Sequence, residues 1–204
     1  MFDAHAHIGE YRHDALICTS QSDEYQIAES YPLHSYGTLS PDENIPFLIE
    51  ERLREDPSAF IGEFGPDSRF EYSITVIKAL LELARDYSRP FTLHVVRRHD
   101  EMLHLLREIK TGVPFIVHGF TSSAQIADEY IRLGGFISLG KRSLRSRDFT
   151  SLLRKNFLLE SDLPCSSEAD RVLEEVYTSA ALQLGTSIAV LEEMIDERRT
   201  VFTS

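Results

Sequence analysis

The sequence predicts an α/β protein of the (β/α)8 class, a TIM barrel, and three observations lead to that prediction. Eight short apolar segments follow one another along the 204 residues. The stretches between several of them have the three- and four-residue apolar spacing of amphipathic helices. The polar residues near the ends of the apolar segments are mainly His, Asp and Glu. Short apolar segments without clean alternation are typical of parallel strands that are covered on both faces.

The predicted strands span residues 2–8, 15–20, 33–39, 60–65, 91–96, 115–120, 135–140 and 156–162. The predicted helices span residues 71–87, 101–110, 125–133, 168–184 and 188–199, and Ser167 with Asp170 forms a predicted capping box for the fourth of them. The connections after the second and seventh strands are short, so we expect helices of one or two turns there. The chain lacks long linkers and internal repeats, which predicts a single domain over residues 1–204.

Composition excludes several classes of protein. No segment approaches the ~18–20 apolar residues of a membrane helix, and Asp3, His5 and His7 interrupt any signal-peptide pattern. Two cysteines, Cys18 and Cys165, indicate no disulfide framework, so we expect a reducing cytoplasm. The net charge of −12 argues against non-specific nucleic-acid binding through overall charge. It leaves open a phosphate substrate held by metal ions and a local basic patch.

Six side chains that can bind metal lie near the carboxyl ends of predicted strands. A barrel carries its active site at that end. A polar side chain that ends an apolar strand is costly to bury unless it is paired or bound to metal. Taken alone, a histidine in a strand is more often a core residue than a ligand, and an Asp or Glu at a strand end is often a helix cap. Together the six residues predict a metal centre: His5, His7, Glu63, His94, His118 and Asp162.

The donor set limits the metals. Four imidazoles and two carboxylates suit Zn, Mn, Fe, Co or Ni, and Mg suits the part richer in carboxylates. Six ligands exceed the four of one tetrahedral zinc ion. Two divalent ions that share one carboxylate explain the count better, and Glu63 is the predicted bridge because a carboxylate offers two oxygens.

At these residues the sequence resembles the TatD family of metal-dependent hydrolases over nearly its whole length, as a compact member. The matching motifs are Asp3-Ala4-His5-Ala6-His7, Gly62-Glu63-Phe64-Gly65-Pro66-Asp67, His94, His118-Gly119-Phe120-Thr121-Ser122 and Glu160-Ser161-Asp162-Leu163-Pro164. The resemblance implies a first metal on His5, His7, Glu63 and Asp162, and a second on Glu63, His94 and His118. It also implies that Asp162 is the general base acting on the attacking water.

Two positions depart from the family pattern. Family members usually carry G-x-H-P after the third strand, whereas this chain has Gly37-Thr38-Leu39-Ser40-Pro41. Many members have an arginine two residues after the histidine of the fifth strand, where this chain has Val96. The family residues at these positions are implicated in substrate contact, so the departures concern the substrate and not the metal centre.

Further polar residues near the predicted site have two interpretations each. A basic cluster after the seventh strand is either a phosphate-binding loop or a solvated, salt-bridged surface; it comprises Lys141, Arg142, Arg145 and Arg147. Asp67 is either a partner that orients a metal ligand or an ordinary turn residue. Glu160 precedes Asp162 by two residues, so its side chain is predicted to point the same way and to contact a metal ligand without binding the metal itself.

The leading functional hypothesis is a cytoplasmic hydrolase that uses two divalent ions, Mg, Mn or Zn, to cleave DNA or another nucleotide-containing substrate from a strand end. The alternative is an amidohydrolase or deacylase acting on a small amide or ester. A third hypothesis is a non-catalytic metal-binding scaffold, against which the presence of Asp162 argues. No obligate protein partner and no membrane association are expected.

Overall fold

The computed structural model describes residues 1–10 and 14–203. Within them, eight strands form one parallel sheet in chain order and alternate with helices, which is a (β/α)8 TIM barrel. The predicted fold class is therefore confirmed. The strands are β1 (Asp3–Ala6), β2 (Ala15–Cys18), β3 (His34–Tyr36), β4 (Phe60–Phe64), β5 (Phe91–Leu93), β6 (Phe115–Val117), β7 (Gly135–Leu139) and β8 (Phe157–Leu159).

The helices are α1 (Tyr25–Ala28), α2 (Ile45–Glu55), α3 (Ile74–Asp86), α4 (His99–Ile109), α5 (Ala124–Arg132), α6 (Phe149–Leu152), α7 (Ser167–Leu184) and α8 (Ile188–Thr203). As expected, the connections after β2 and β7 are reduced. Each contains one 3₁₀ turn, Ser22–Glu24 or Ser143–Arg145, followed by a four-residue helix.

Contacts within the chain divide it into two compact units. The first consists of Met1–Leu16 and Ile116–Ser204, and the second of Ile17–Phe115. The expectation of a single domain stays a prediction.

In the second unit, consecutive strands pair in parallel, with Ile17 opposite His34, Ser35 opposite Phe60 and Ile61 opposite Phe91. Its core includes a row of aromatic rings. Phe64 lies 5.8 Å from Phe91, and Phe91 stacks on Phe115 at 5.1 Å between ring centroids. All three rings are buried, and fully burying such a side chain contributes about 1.5–3 kcal/mol.

In the first unit, β7 and β8 pair along their length, from Ile137 opposite Phe157 to Leu139 opposite Leu159. The backbone just after β8 runs beside the end of β1, where Asp162 N donates to His5 O at 3.1 Å and His7 N donates to Leu163 O at 2.9 Å. These bonds bring two of the segments with candidate ligands together.

The predicted element boundaries needed correction in three ways. The hydrogen-bonded strands are shorter than the apolar runs that predicted them, because the residues at the carboxyl ends turn away to form the loops. The N-cap of α7 is Ser166, whose hydroxyl accepts from Ala169 N, so the predicted capping box of Ser167 with Asp170 was wrong by one position. Helix α2 was not among the predicted helices.

Among the residues that the structure describes, no helix has the length and apolar character needed to cross a bilayer.

Candidate metal centre

In the first unit, β1 and the loop after β8 bring His5, His7 and Asp162 together. Each offers one ligand atom, and these atoms lie within 4.8 Å of one another. Oδ1 of Asp162 is 3.5 Å from Nε2 of His7 and 4.0 Å from Nε2 of His5. Two imidazoles and a carboxylate at this spacing form a donor set that suits Zn or another divalent transition metal.

Asp162 has a backbone conformation that fits a residue held for function. Its φ is +57°, in the left-handed region that Asp occupies more readily than most residues. Burial acts to raise the pKa of its carboxyl group, but the hydrogen bond from His7 and the charges of His118, His5 and His7 outweigh burial. The pKa of Asp162 is therefore lowered, and its carboxylate is ready to accept a proton or bind a cation.

His118 follows β6 directly and packs against His5. The two imidazole rings are parallel within 10°, with centroids 3.8 Å apart. Gly119 comes next with φ +59°, a conformation that glycine adopts without a Cβ penalty. The sharp turn after β6 thus holds the His118 ring against His5.

Glu160 holds that turn through a hydrogen bond to its backbone. Its side chain is fully buried, and Oε1 accepts a hydrogen bond from Gly119 N at 2.7 Å. Burial raises the pKa of Glu160 to about 7, while the charge of His118 acts in the opposite direction. The contact links the segment after β8 to the turn that carries His118.

Asp3 is a residue of this region to which the sequence interpretation assigned no role. It is fully buried, and its Oδ1 accepts from His5 N at 3.2 Å and from Ser161 N at 2.9 Å. The sequence feature that could have indicated a role for Asp3 is its place in the first matching motif, two residues before His5. The carboxylate fastens β1 to the loop that carries Asp162.

In the second unit, Glu63, His94 and Asp67 form a continuous polar chain. Nδ1 of His94 lies 2.9 Å from Oε1 of Glu63, and Nε2 lies 2.9 Å from Oδ2 of Asp67. Glu63 and Asp67 are buried, with side chains 4% and 5% exposed. Of the two interpretations of Asp67, the structure supports a carboxylate that orients a histidine, an arrangement typical of metal ligands.

Asp67 is itself anchored. Arg69 Nη2 lies 2.5 Å from Oδ2 of Asp67, and Arg69 Nε donates to Oδ1 at 2.9 Å. The hydrogen bonds from Arg69 are the largest cause of the lowered pKa of Asp67, which keeps this carboxylate charged. Gly65 lets the segment approach β5, because its φ is +146° and a Cβ there would lie 2.1 Å from the carbonyl oxygen of His94.

A cavity of about 430 Å³ opens beside Asp162 in the first unit. Three cations of the predicted basic cluster line it, Lys141, Arg142 and Arg145, together with Glu160 and Asp162. Lys141 also forms an ion pair of 3.0 Å with Glu175, so for this residue the salt-bridge interpretation holds as well. Arg147 is exposed and lies outside the cavity lining.

The structure therefore places the predicted residues in two groups. The first unit brings together His5, His7, His118, Glu160 and Asp162, and the second brings together Glu63, Asp67 and His94. The complete six-residue ligand set stays a prediction.

Comparison with known proteins identifies relatives of this chain. A curated relative, the uncharacterized metal-dependent hydrolase YjjV of Escherichia coli, is 37% identical over 110 residues, which are 50% of this chain and 41% of the relative. A second, named 3′-5′ ssDNA/RNA exonuclease TatD, from Klebsiella pneumoniae, is 28% identical over 145 residues, 65% of this chain and 55% of the relative. The chain thus spans about half the length of the curated relatives it matches.

Solved structures share the fold. The crystal structure of YjjV, a TatD homologue from Escherichia coli, superposes with a TM-score of 0.82 at 19% identity, covering 99% of this chain and 97% of the other. A TatD-family hydrolase from Entamoeba histolytica gives 0.78 at 13% identity with the same coverage. The family model described as TatD related DNase matches residues 33–199, most of the sequence. With that match, the chain belongs to the TatD-related DNase family.

Proposed function

We propose that the chain is a divalent-metal-dependent hydrolase that cleaves phosphodiester bonds in DNA from a strand end. The observation that carries this proposal is the cavity beside Asp162. Asp162 and Glu160 line it together with three cations, Lys141, Arg142 and Arg145. Cations beside a site for divalent metal suit a phosphodiester, whose anionic oxygens can bind both. An uncharged amide or ester has no need of the three cations.

The proposed cofactor is a pair of divalent ions, Mg, Mn or Zn. We assign the first to His5, His7, Glu63 and Asp162 and the second to Glu63, His94 and His118, as the family resemblance implies. The donors are imidazoles and carboxylates, which fit such ions.

When bound, the ions supply positive charge that polarises the phosphodiester and acidifies the attacking water. Asp162 takes the proton of that water, which its lowered pKa allows because the carboxylate is ionised at neutral pH. Arg142 and Arg145 hold the phosphate oxygens that face the cavity. Glu160 keeps the turn at Gly119 in place through its 2.7 Å hydrogen bond, and Asp67 holds the ring of His94.

The names of the relatives agree with this substrate class. The Klebsiella relative is named as an exonuclease on single-stranded DNA and RNA, and the matching family model is described as a DNase. We propose the same class of substrate here, in the cytoplasm and without an obligate protein partner.

The test is release of nucleotides from a 5′-labelled or 3′-labelled single-stranded oligonucleotide by the metal-loaded protein. We expect stepwise shortening that stops with a chelator and falls in the Arg142→Ala, Arg145→Ala double variant. Metal-loaded protein that leaves every labelled oligonucleotide intact would contradict the proposal.

An amidohydrolase or deacylase is the second candidate. It is favoured by the segment after β3, where Thr38, Leu39 and Ser40 replace the family's G-x-H-P motif. Thr38 Oγ1 accepts from Ser40 N at 2.9 Å, so these residues form a tight polar turn. Turnover of small amides or esters by a preparation that is inactive on DNA would favour this candidate.

A further inference from the structure

We propose that Phe70 is a stacking platform for a nucleobase of the substrate strand. This inference deepens the proposed function and rests on it. None of the family motifs includes this residue. Phe70 lies in the loop between β4 and α3, three residues after Asp67.

The ring of Phe70 is strongly exposed. Its relative exposure is 66%, the highest among the large aromatic side chains that the structure describes. A single apolar side chain at a surface is common and carries no meaning alone. The proposed role of Phe70 therefore depends on where the ring lies and on which residues are near it.

The position of Phe70 is fixed relative to the polar chain of the second unit. Phe70 N donates to Asp67 O at 3.2 Å, which closes a tight turn. The same segment pairs with the loop after β5, since Ser68 N donates to Val96 O at 3.1 Å and Val96 N donates to Pro66 O at 3.0 Å. The ring thus projects from the turn whose Asp67 carboxylate contacts the candidate ligand His94.

Arginines lie at the ring and on the loop that pairs with its turn. The guanidinium of Arg69 lies 5.4 Å from the centroid of Phe70, while its bonds to Asp67 hold it in place. Arg97 and Arg98 are exposed on the loop after β5 that pairs with this turn. The chain has a net charge of −12, so one arginine at the ring and two exposed arginines on the paired loop form an unusual local set.

This combination fits a single nucleic-acid strand better than an apolar partner. Proteins that bind single strands combine cations for the phosphates with aromatic rings on which bases stack. An apolar protein surface has no use for the flanking arginines. The structure therefore assigns the ring to a base and the exposed Arg97 and Arg98 to the adjoining phosphates.

The test uses the fact that the chain contains no tryptophan. Phe70→Trp in an Asp162→Asn background gives a protein that holds substrate with one fluorescent reporter. A matched control is Leu182→Trp in the same background. Leu182 is 78% exposed and lies at the carboxyl end of α7, the end remote from the loop after β8. Each protein is titrated with oligo(dT) in the presence of Mn²⁺, and with an oligonucleotide of the same length whose sugars lack bases.

We expect oligo(dT) to quench the fluorescence of Trp at position 70, the abasic strand to leave it nearly unchanged, and the Leu182→Trp control to respond to neither. In the otherwise wild-type chain, Phe70→Ala is expected to raise the KM for oligo(dT) by about 5-fold or more, from the usual range of base–aromatic stacking. Phe70→Tyr, which keeps the ring, is expected to restore it.

Equal quenching by the abasic strand, or an unchanged KM in Phe70→Ala while the wild type cleaves oligo(dT), would overturn the inference and leave the proposed function standing. Failure of the proposed function is distinct, because the wild type would then not cleave oligo(dT) at all.

Discussion

Asp67→Asn is the substitution that best separates metal binding from folding. The Asp67 carboxylate contacts His94 Nε2 at 2.9 Å and Arg69 Nη2 at 2.5 Å, both through Oδ2. Asparagine keeps the shape and one oxygen but loses the charge. Hydrogen bonds to charged groups contribute ~1.5–3 kcal/mol, so we expect a loss of about that size in the free energy of unfolding without metal. Loss of a partner that orients a metal-binding histidine typically lowers metal affinity by ~10–100-fold.

The matched control is Arg69→Gln. It removes the guanidinium but leaves the contact between Asp67 and His94 intact. Because the Arg69 side chain is 49% exposed, its ion pair is screened, and the expected cost is at most ~1 kcal/mol. Urea unfolding in EDTA measures stability, and calorimetric titration with Mn²⁺ or Zn²⁺ measures affinity. A fall in metal affinity as large in Arg69→Gln as in Asp67→Asn, or an unchanged affinity in Asp67→Asn, would refute this role of Asp67.

Three further predictions concern other parts of the chain. Arg145→Ala should raise the KM for single-stranded DNA and reduce the slope of log KM against log salt by ~0.7, the value for one lost phosphate contact, whereas Arg147→Ala should change neither. Ser166→Ala should lower the free energy of unfolding by ~0.5–2 kcal/mol through loss of the α7 cap, and Ser167→Ala by much less. Burial lowers the pKa of His99 in the folded protein, so the unfolded chain binds more protons at this residue. The free energy of unfolding should therefore fall as the pH drops below about 6.5, the ordinary pKa of histidine. His99→Gln should make that fall smaller, as measured by urea titrations between about pH 5 and 8.

The barrel could be predicted because its strands leave a local signal. Apolar segments such as 115–120 and 156–162 contain β6 and β8. Their ends were overestimated because the predicted strands included the polar residues that leave the sheet, His118 after β6 and Asp162 after β8. Helix α2 was missed because its apolar pattern is mixed. Ile45, Ile49 and Leu53 are buried, whereas Phe47 is 58% exposed.

The candidate site was predictable in its residue types and less so in its contacts. Spacing predicted His5 and His7 on one side of the first strand, and the family resemblance predicted Asp162 with them. The structure brings ligand atoms of these three residues within 4.8 Å of one another. The role of Asp3 and the contact between Asp67 and His94 depend on loops that pair across distant parts of the sequence. Glu160 was expected near Asp162, but its bond to Gly119 spans 41 positions and leaves no local pattern.

The central claim is tested most directly by measuring metal content and nuclease activity on the same samples of the wild type and Asp162→Asn. Asparagine retains a metal-binding oxygen but cannot accept the proton. The account predicts about two divalent ions in both proteins, with single-stranded DNA degraded by the wild type and left intact by the variant. It is contradicted if the variant degrades DNA as fast as the wild type, or if both bind metal and neither degrades DNA.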